Sequence, residues 1–176
     1  FSCENGIIFE LQDGYRDKVV QCLETRGNSS STDGNSIGST TIRASELAGI
    51  SEIYKEAFMN CEGIGTVDLS EASISHVPEF CFNNAKLLSD VTLPVGCGTV
   101  EEYAFKDTKL KTITIPSTVS VFDNTAFYDS NEKYGVIKYV EVITSENSAA
   151  ERLAQAYNKH SWSVSDAKIN PIYTVT

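Results

Sequence analysis

A thiol is the most nucleophilic ordinary side chain, and this sequence carries five: Cys3, Cys22, Cys61, Cys81 and Cys97. Thiol catalysis needs a base and a group that orients it. Only two histidines are present, His76 and His160, and no motif links either of them to Cys61 in "EAFMNC". The carboxylates Glu71, Glu79, Glu101 and Glu102 are the material for glycosidase acid–base chemistry or for calcium. The EF-hand pattern with its central Gly and final Glu is absent, and no C-x-x-C pair suggests zinc. With a net charge of −10, carboxylates are expected all over the surface. The chain therefore reads as a non-enzyme, with neither a metal nor an organic cofactor.

The totals narrow the class. The 176 residues suffice for one domain with a real core, and 41% apolar with 22% charged residues fits a globular protein. An excess of 24 acidic over 14 basic residues, the latter scattered singly, opposes a phosphate backbone or an anionic membrane. No apolar run is long enough to cross a bilayer as a helix, so membrane insertion is not expected. The first residue is Phe1, which reads as a processed or trimmed start.

The elements that must position any site follow from an internal period. Phe58, Phe82, Phe105 and Phe127 recur at intervals of 24, 23 and 22 residues, each behind a small residue: Ala57, Cys81, Ala104 or Ala126. After the first three comes an apolar triplet with spacings of three and then two: Ile64, Val67, Leu69; Leu88, Val91, Leu93; Leu110, Ile113, Ile115. The step of two is strand alternation. Pro94 and Pro116 stop the second and third strands, where the first has Ser70. Seven and four residues ahead of the small residue stand Ile74 and Val77, Cys97 and Val100, Val119 and Phe122. On this grid Cys61 falls where Ala85 falls one unit later, so it reads as packing material.

One such unit cannot bury its own apolar edge, but stacked units can. The expected architecture is an α/β-type repeat solenoid of the leucine-rich-repeat kind: short, right-handed, with a parallel sheet on one face and a ladder of phenylalanines inside. The stretch "LKTITIPSTVSVFDNTAF" resembles the BspA-like (Treponema-type) leucine-rich repeat family over residues 40–143. The sequence departs from that family's pattern at Ser70, at Cys81 and in a polar, tyrosine-bearing insertion at 128–136.

The whole chain, 1–176, reads as a single domain. Residues 1–39 form an N-terminal cap and loop, in which Ile7–Leu11 and Val19–Leu23 make a hairpin around Asp13-Gly14. Family members often open on a similar "NGIxYE" hairpin, here Asn5–Glu10. The Gly/Ser/Asn-rich stretch after it reads as a long loop, with a glycosylation sequon at Asn28. Residues 144–176 form a C-terminal helical cap: Ser148 and Glu151 make a capping box, Ala149, Leu153, Ala156 and Tyr157 share a face, and Trp162 covers the open end of the core. Cys3 and Cys22 lie at opposite ends of the hairpin strands; a disulfide between them would suit an exported protein, but pairing is not read from sequence alone.

Alternation makes the outward residues of the sheet readable: Thr66, Asp68, Asp90, Thr92, Thr112, Thr114 and Glu141. Each alone is a solvated β-former; together they form a flat polar platform of the kind solenoids use for binding. Tyr128, Tyr134 and Tyr139 of the insertion add the amphipathic area common at interfaces. The resemblance implies a secreted or cell-surface bacterial protein, lipid-anchored or not, that adheres to a host-matrix or cell-surface protein partner. A secreted domain that binds or acts on glycans is the second reading, and a stalk segment of a longer array the third.

Overall fold

The computed structural model describes residues 1–23, 40–123, 125–131, 140–144 and 173–175. The chain opens with three short strands, β1 (Ser2–Glu4), β2 (Ile7–Gln12) and β3 (Tyr15–Cys22). They are joined by two-residue turns at Asn5-Gly6 and Asp13-Gly14, and all four turn residues have positive φ. Asn-Gly and Asp-Gly adopt that conformation at low cost, and it matches the twist of a hairpin. The N-terminal cap is thus three-stranded, one strand more than the hairpin expected from sequence.

Four strands of the repeats, β4 (Thr41–Ile42), β6 (Thr66–Asp68), β8 (Asp90–Thr92) and β10 (Thr112–Thr114), are joined by β12 (Glu141–Thr144) and β13 (Tyr173–Val175). They form one parallel sheet in the order β13-β12-β10-β8-β6-β4. The return segments carry β5 (Glu52–Ile53), β7 (His76–Val77), β9 (Thr99–Val100) and β11 (Val121–Phe122). The last three pair in parallel as a second, narrower sheet. The expectation of a parallel sheet on one face is therefore corrected to two sheets, because the return segments also pair coil to coil. Strand β5 instead pairs with β3 of the cap, Lys18 against Glu52 and Val19 against Ile53.

Among the described residues there is no α-helix, only a 3-10 turn at Ala44–Glu46. The architecture is a parallel-sheet β-solenoid of about three turns rather than an α/β one. The C-terminal helix and the Trp162 lid lie outside the described residues, and nothing in the structure supports them.

The apolar grid packs as its spacing demands. Val67, Val91 and Ile113 are buried between half-exposed neighbours, and the central residue of each strand meets its counterpart in register. Phe58, Phe82, Phe105 and Phe127 stack in one column, with ring centroids 4.9, 5.4 and 5.5 Å apart and planes within 14°. Ala57, Cys81, Ala104 and Ala126 are all buried beside that column. Burial raises the Cys81 thiol well above its ordinary range, with Glu101 adding to the effect, so the thiol stays protonated. The first coil obeys the same rule, since Ile50 and Ile53 stand seven and four residues ahead of Ala57 and are buried.

Between neighbouring coils the turn beside the phenylalanine column is itself a ladder. The amides of Glu56, Phe58 and Asn60 donate to the carbonyls of Glu79, Cys81 and Asn83. Those of Phe80, Phe82 and Asn84 repeat the pattern onto Glu102, Ala104 and Lys106. Asn60, Asn84 and Asp107 recur at one turn position with φ of 61°, 62° and 55°, a conformation Asn and Asp tolerate better than most residues.

Candidate functional site

The outer face of the main sheet carries two rows. Register sets Thr41, Thr66, Asp90, Thr112 and Glu141 side by side along one, and Asp68, Thr92, Thr114 and Ile143 along the other. The six side chains from Thr66 to Thr114 are half-exposed around buried Val67, Val91 and Ile113. The sheet therefore sets Thr66, Asp68, Asp90, Thr92, Thr112 and Thr114 on one surface. For Glu141 the placement rests on backbone register alone. Tyr134 and Tyr139 lie outside the described residues.

Two of the six have local work. Asp68 Oδ1 accepts the Ser70 N–H at 2.9 Å. In the next two units Thr92 and Thr114 hold the Asp68 position, and Pro94 and Pro116, which have no N–H, hold the Ser70 position. The aspartate thus accompanies the serine. Replacing Asp68 by Thr is expected to cost about 1 kcal/mol in the native protein and close to nothing in a Ser70→Pro background. Urea melts of the four proteins in this cycle check it, and equal costs in both backgrounds would show that Asp68 acts elsewhere. Asp90 likewise lies in hydrogen-bond reach of the Ser89 hydroxyl, whose single proton is shared between it and Gly65 O at 3.1 Å.

Tyr128 is exposed and joins a second aromatic row. Phe80 and Tyr103 stack at 5.1 Å, and Tyr128 meets Tyr103 edge-on at 5.7 Å. Lys55 lies over Phe80 and Lys106 over Tyr103. Phe80 and Tyr103 stack on each other and each carries a lysine, which leaves Tyr128 as the exposed ring of the row. Phe80 and Tyr103 have φ of 54° and 53°, an uncommon conformation for bulky residues, and Glu56 one unit earlier has φ of 63°, so the conformation belongs to the recurring turn. A period of 23 residues between two aromatics could have revealed this row.

Of the residues weighed for catalysis, His76, Glu79 and Glu101 adjoin one another, while Cys61 and Glu71 lie apart from them. Cys61 is buried and its thiol donates to Cys22 O at 3.2 Å. His76 sits half-exposed on the second sheet, hydrogen-bonded to Ser75 and 3.9 Å from a Glu101 oxygen. Glu101 also accepts the Glu79 amide at 3.1 Å, and Glu79 pairs with Lys55 at 2.9 Å. That pairing raises the lysine pKa, chiefly through the hydrogen bond to Glu79. Glu71 is exposed on another turn. His160 lies outside the described residues. Among the described residues no three His, Cys, Asp or Glu side chains gather as metal ligands would, and no helix is long and apolar enough to cross a membrane.

A shallow groove of about 590 Å³ opens on the second sheet, lined by Thr99, Val100, Glu101, Glu102, Val121, Phe122 and Asp123. Sequence reasoning missed it, since it depends on how β9 and β11 lie together.

The family model for the BspA-type leucine-rich repeat region matches residues 34–133, in six copies. The chain belongs to the BspA-type leucine-rich repeat family. The match covers more than half of the sequence and spans the three coils that carry strands in both sheets. BspA-type repeats form a protein-interaction module, and the two outward rows lie on the surface that this module builds. Comparison with curated proteins gives no match.

Proposed function

We propose that this BspA-type domain is a non-enzymatic adhesion module of a bacterial cell surface or secretome, and that it binds a host-matrix or cell-surface protein through the main sheet. The carrying observation is the pair of in-register rows, Thr66–Asp90–Thr112 and Asp68–Thr92–Thr114. Short side chains on a regular parallel sheet give a flat surface with little rotamer entropy to lose on binding. Two of its aspartates are held by neighbouring Ser groups, which fixes their carboxylates before a partner arrives. In this reading residues 1–176 act as one domain.

A Thr112→Arg/Thr114→Arg variant tests the reading, because both side chains face outward around buried Ile113. In biolayer interferometry against matrix proteins and glycans, the native domain is expected to bind a matrix protein saturably. The variant should lose at least tenfold in affinity with an unchanged melting temperature. Protein binding that survives the substitution would remove the main sheet from the proposal.

A second reading has its own observation. The groove on the second sheet is lined by Glu101, Glu102, Asp123 and Phe122, acidic residues with an aromatic one, a combination that suits a glycan. Glycan binding indifferent to the double arginine but lost in Phe122→Ala would favour it and call for an activity screen.

A further inference from the structure

A disulfide between Cys3 and Cys22, which the sequence leaves open, does not fit the cap. Strand β2 lies between them: Cys3 is opposite Ile8 on one side and Cys22 opposite Ile7 on the other. Two strand spacings, roughly 9.6 Å, exceed the reach of a disulfide, and Cys3 is exposed where Cys22 is buried. Cys22 meets a different cysteine. The Cys61 sulfur is 3.2 Å from the carbonyl oxygen of Cys22 and 3.7 Å from that of Leu23. The Cys22 sulfur is 3.8 Å from the same Leu23 oxygen. Two thiols therefore converge on one carbonyl, both inside the apolar core, at the seam between cap and first coil. The backbone at this seam is already fixed, with the Cys22 amide donating to Ala57 O and the Leu23 amide to Gly6 O.

We propose that Cys22 and Cys61 are an oxidation site that closes into an intramolecular disulfide when a small-molecule disulfide such as oxidised glutathione is present. One thiol loses its proton and the thiolate attacks a glutathione sulfur, forming a mixed disulfide and expelling one glutathione thiolate. The second thiol, deprotonated in turn, attacks the protein sulfur of that mixed disulfide and expels the other glutathione. Two S–H bonds become one S–S bond, and one glutathione disulfide is reduced to two thiols. Because both sulfurs are buried, the first attack needs the seam to open locally. The product ties the N-terminal cap to the first coil and closes the chain between residues 22 and 61 into a covalent loop, which restricts the unfolded state. This inference does not depend on what the sheet face binds.

The test uses the full chain in a buffered mixture of oxidised and reduced glutathione at mildly alkaline pH, without denaturant, followed by acid quench, alkylation, digestion and mass spectrometry. The expected result is a cross-link between the peptides bearing Cys22 and Cys61, in the native protein and in Cys81→Ser, but absent from Cys22→Ser and from Cys61→Ser. The melting temperature should rise by roughly 10 °C and fall back with a reductant. A glutathione adduct on Cys3 with Cys22 and Cys61 both still alkylatable after unfolding would overturn the proposal. So would a cross-link of Cys22 to Cys3 or to Cys81, or one that forms only in urea. Should a serine variant fail to fold, the native and Cys81→Ser digests still decide, because the bond is read directly by mass.

Discussion

Phe82→Ala is expected to destabilise the domain by about 3–5 kcal/mol, the usual cost of deleting a buried phenyl ring. The ring is completely buried and stacks on both sides, on Phe58 at 4.9 Å and on Phe105 at 5.4 Å. Truncation leaves a void in mid-column, and the amides of Phe58 and Phe82 that link the coils run on either side of it. In a solenoid each coil is stabilised by its neighbours, so a defect at an inner coil weakens both interfaces at once. Against a total of roughly 5–15 kcal/mol for a typical domain, this loss is large. Urea unfolding should show a lower midpoint and a broader or split transition, as the coils before and after Phe82 uncouple. Phe80→Ala, in the half-exposed outer row, is the control and should cost clearly less. If the two substitutions cost the same, the inner column is not what joins the coils.

Asn84→Val should cost about 2–3 kcal/mol, whereas Asn84→Gly should cost less than about 1 kcal/mol. Asn84 has φ of 62°, donates its amide to Lys106 O at 2.8 Å, and its side chain donates to Asn60 Oδ1 at 2.7 Å. Valine loses the side-chain hydrogen bond and also crowds a β-branched carbon into the left-handed region. Glycine loses only the hydrogen bond. Thermal melts of the two variants separate these terms. Equal losses would mean that the Asn60–Asn84 bond, and not the backbone conformation, is what the position requires.

Both results bear on how a 23-residue unit specifies a coil. The triplet Leu88, Val91, Leu93 and its relatives show which residues face inward, since spacings of three and two suit a turn entering a strand and nothing else nearby. The four phenylalanines, the small residues before them and the strand stops were likewise legible, because every coil must meet the same geometric demand. Outward Thr66, Thr92, Thr112 and Thr114 followed by alternation alone. The left-handed turn positions were legible too, had Asn60, Asn84 and Asp107 been set side by side. A step of 24 and then 23 residues between Asn or Asp residues is the trace of a backbone that needs positive φ.

What the sequence determined by itself was everything local or periodic: the repeat, its family, the inward and outward residues and the Asp13-Gly14 turn. Tertiary structure decided what depends on distant pairing. Whether return segments two residues long form a second sheet depends on neighbouring coils arriving in register, and no run of residues encodes that alone. The docking of β3 on β5 brings residues 18 and 52 together across a long connection. It also sets Cys22 against Cys61, while β2, lying between β1 and β3, keeps Cys22 from Cys3. Cysteine spacing cannot reveal such a meeting, because pairing is fixed by where strands lie in space and not by how far apart they are along the chain.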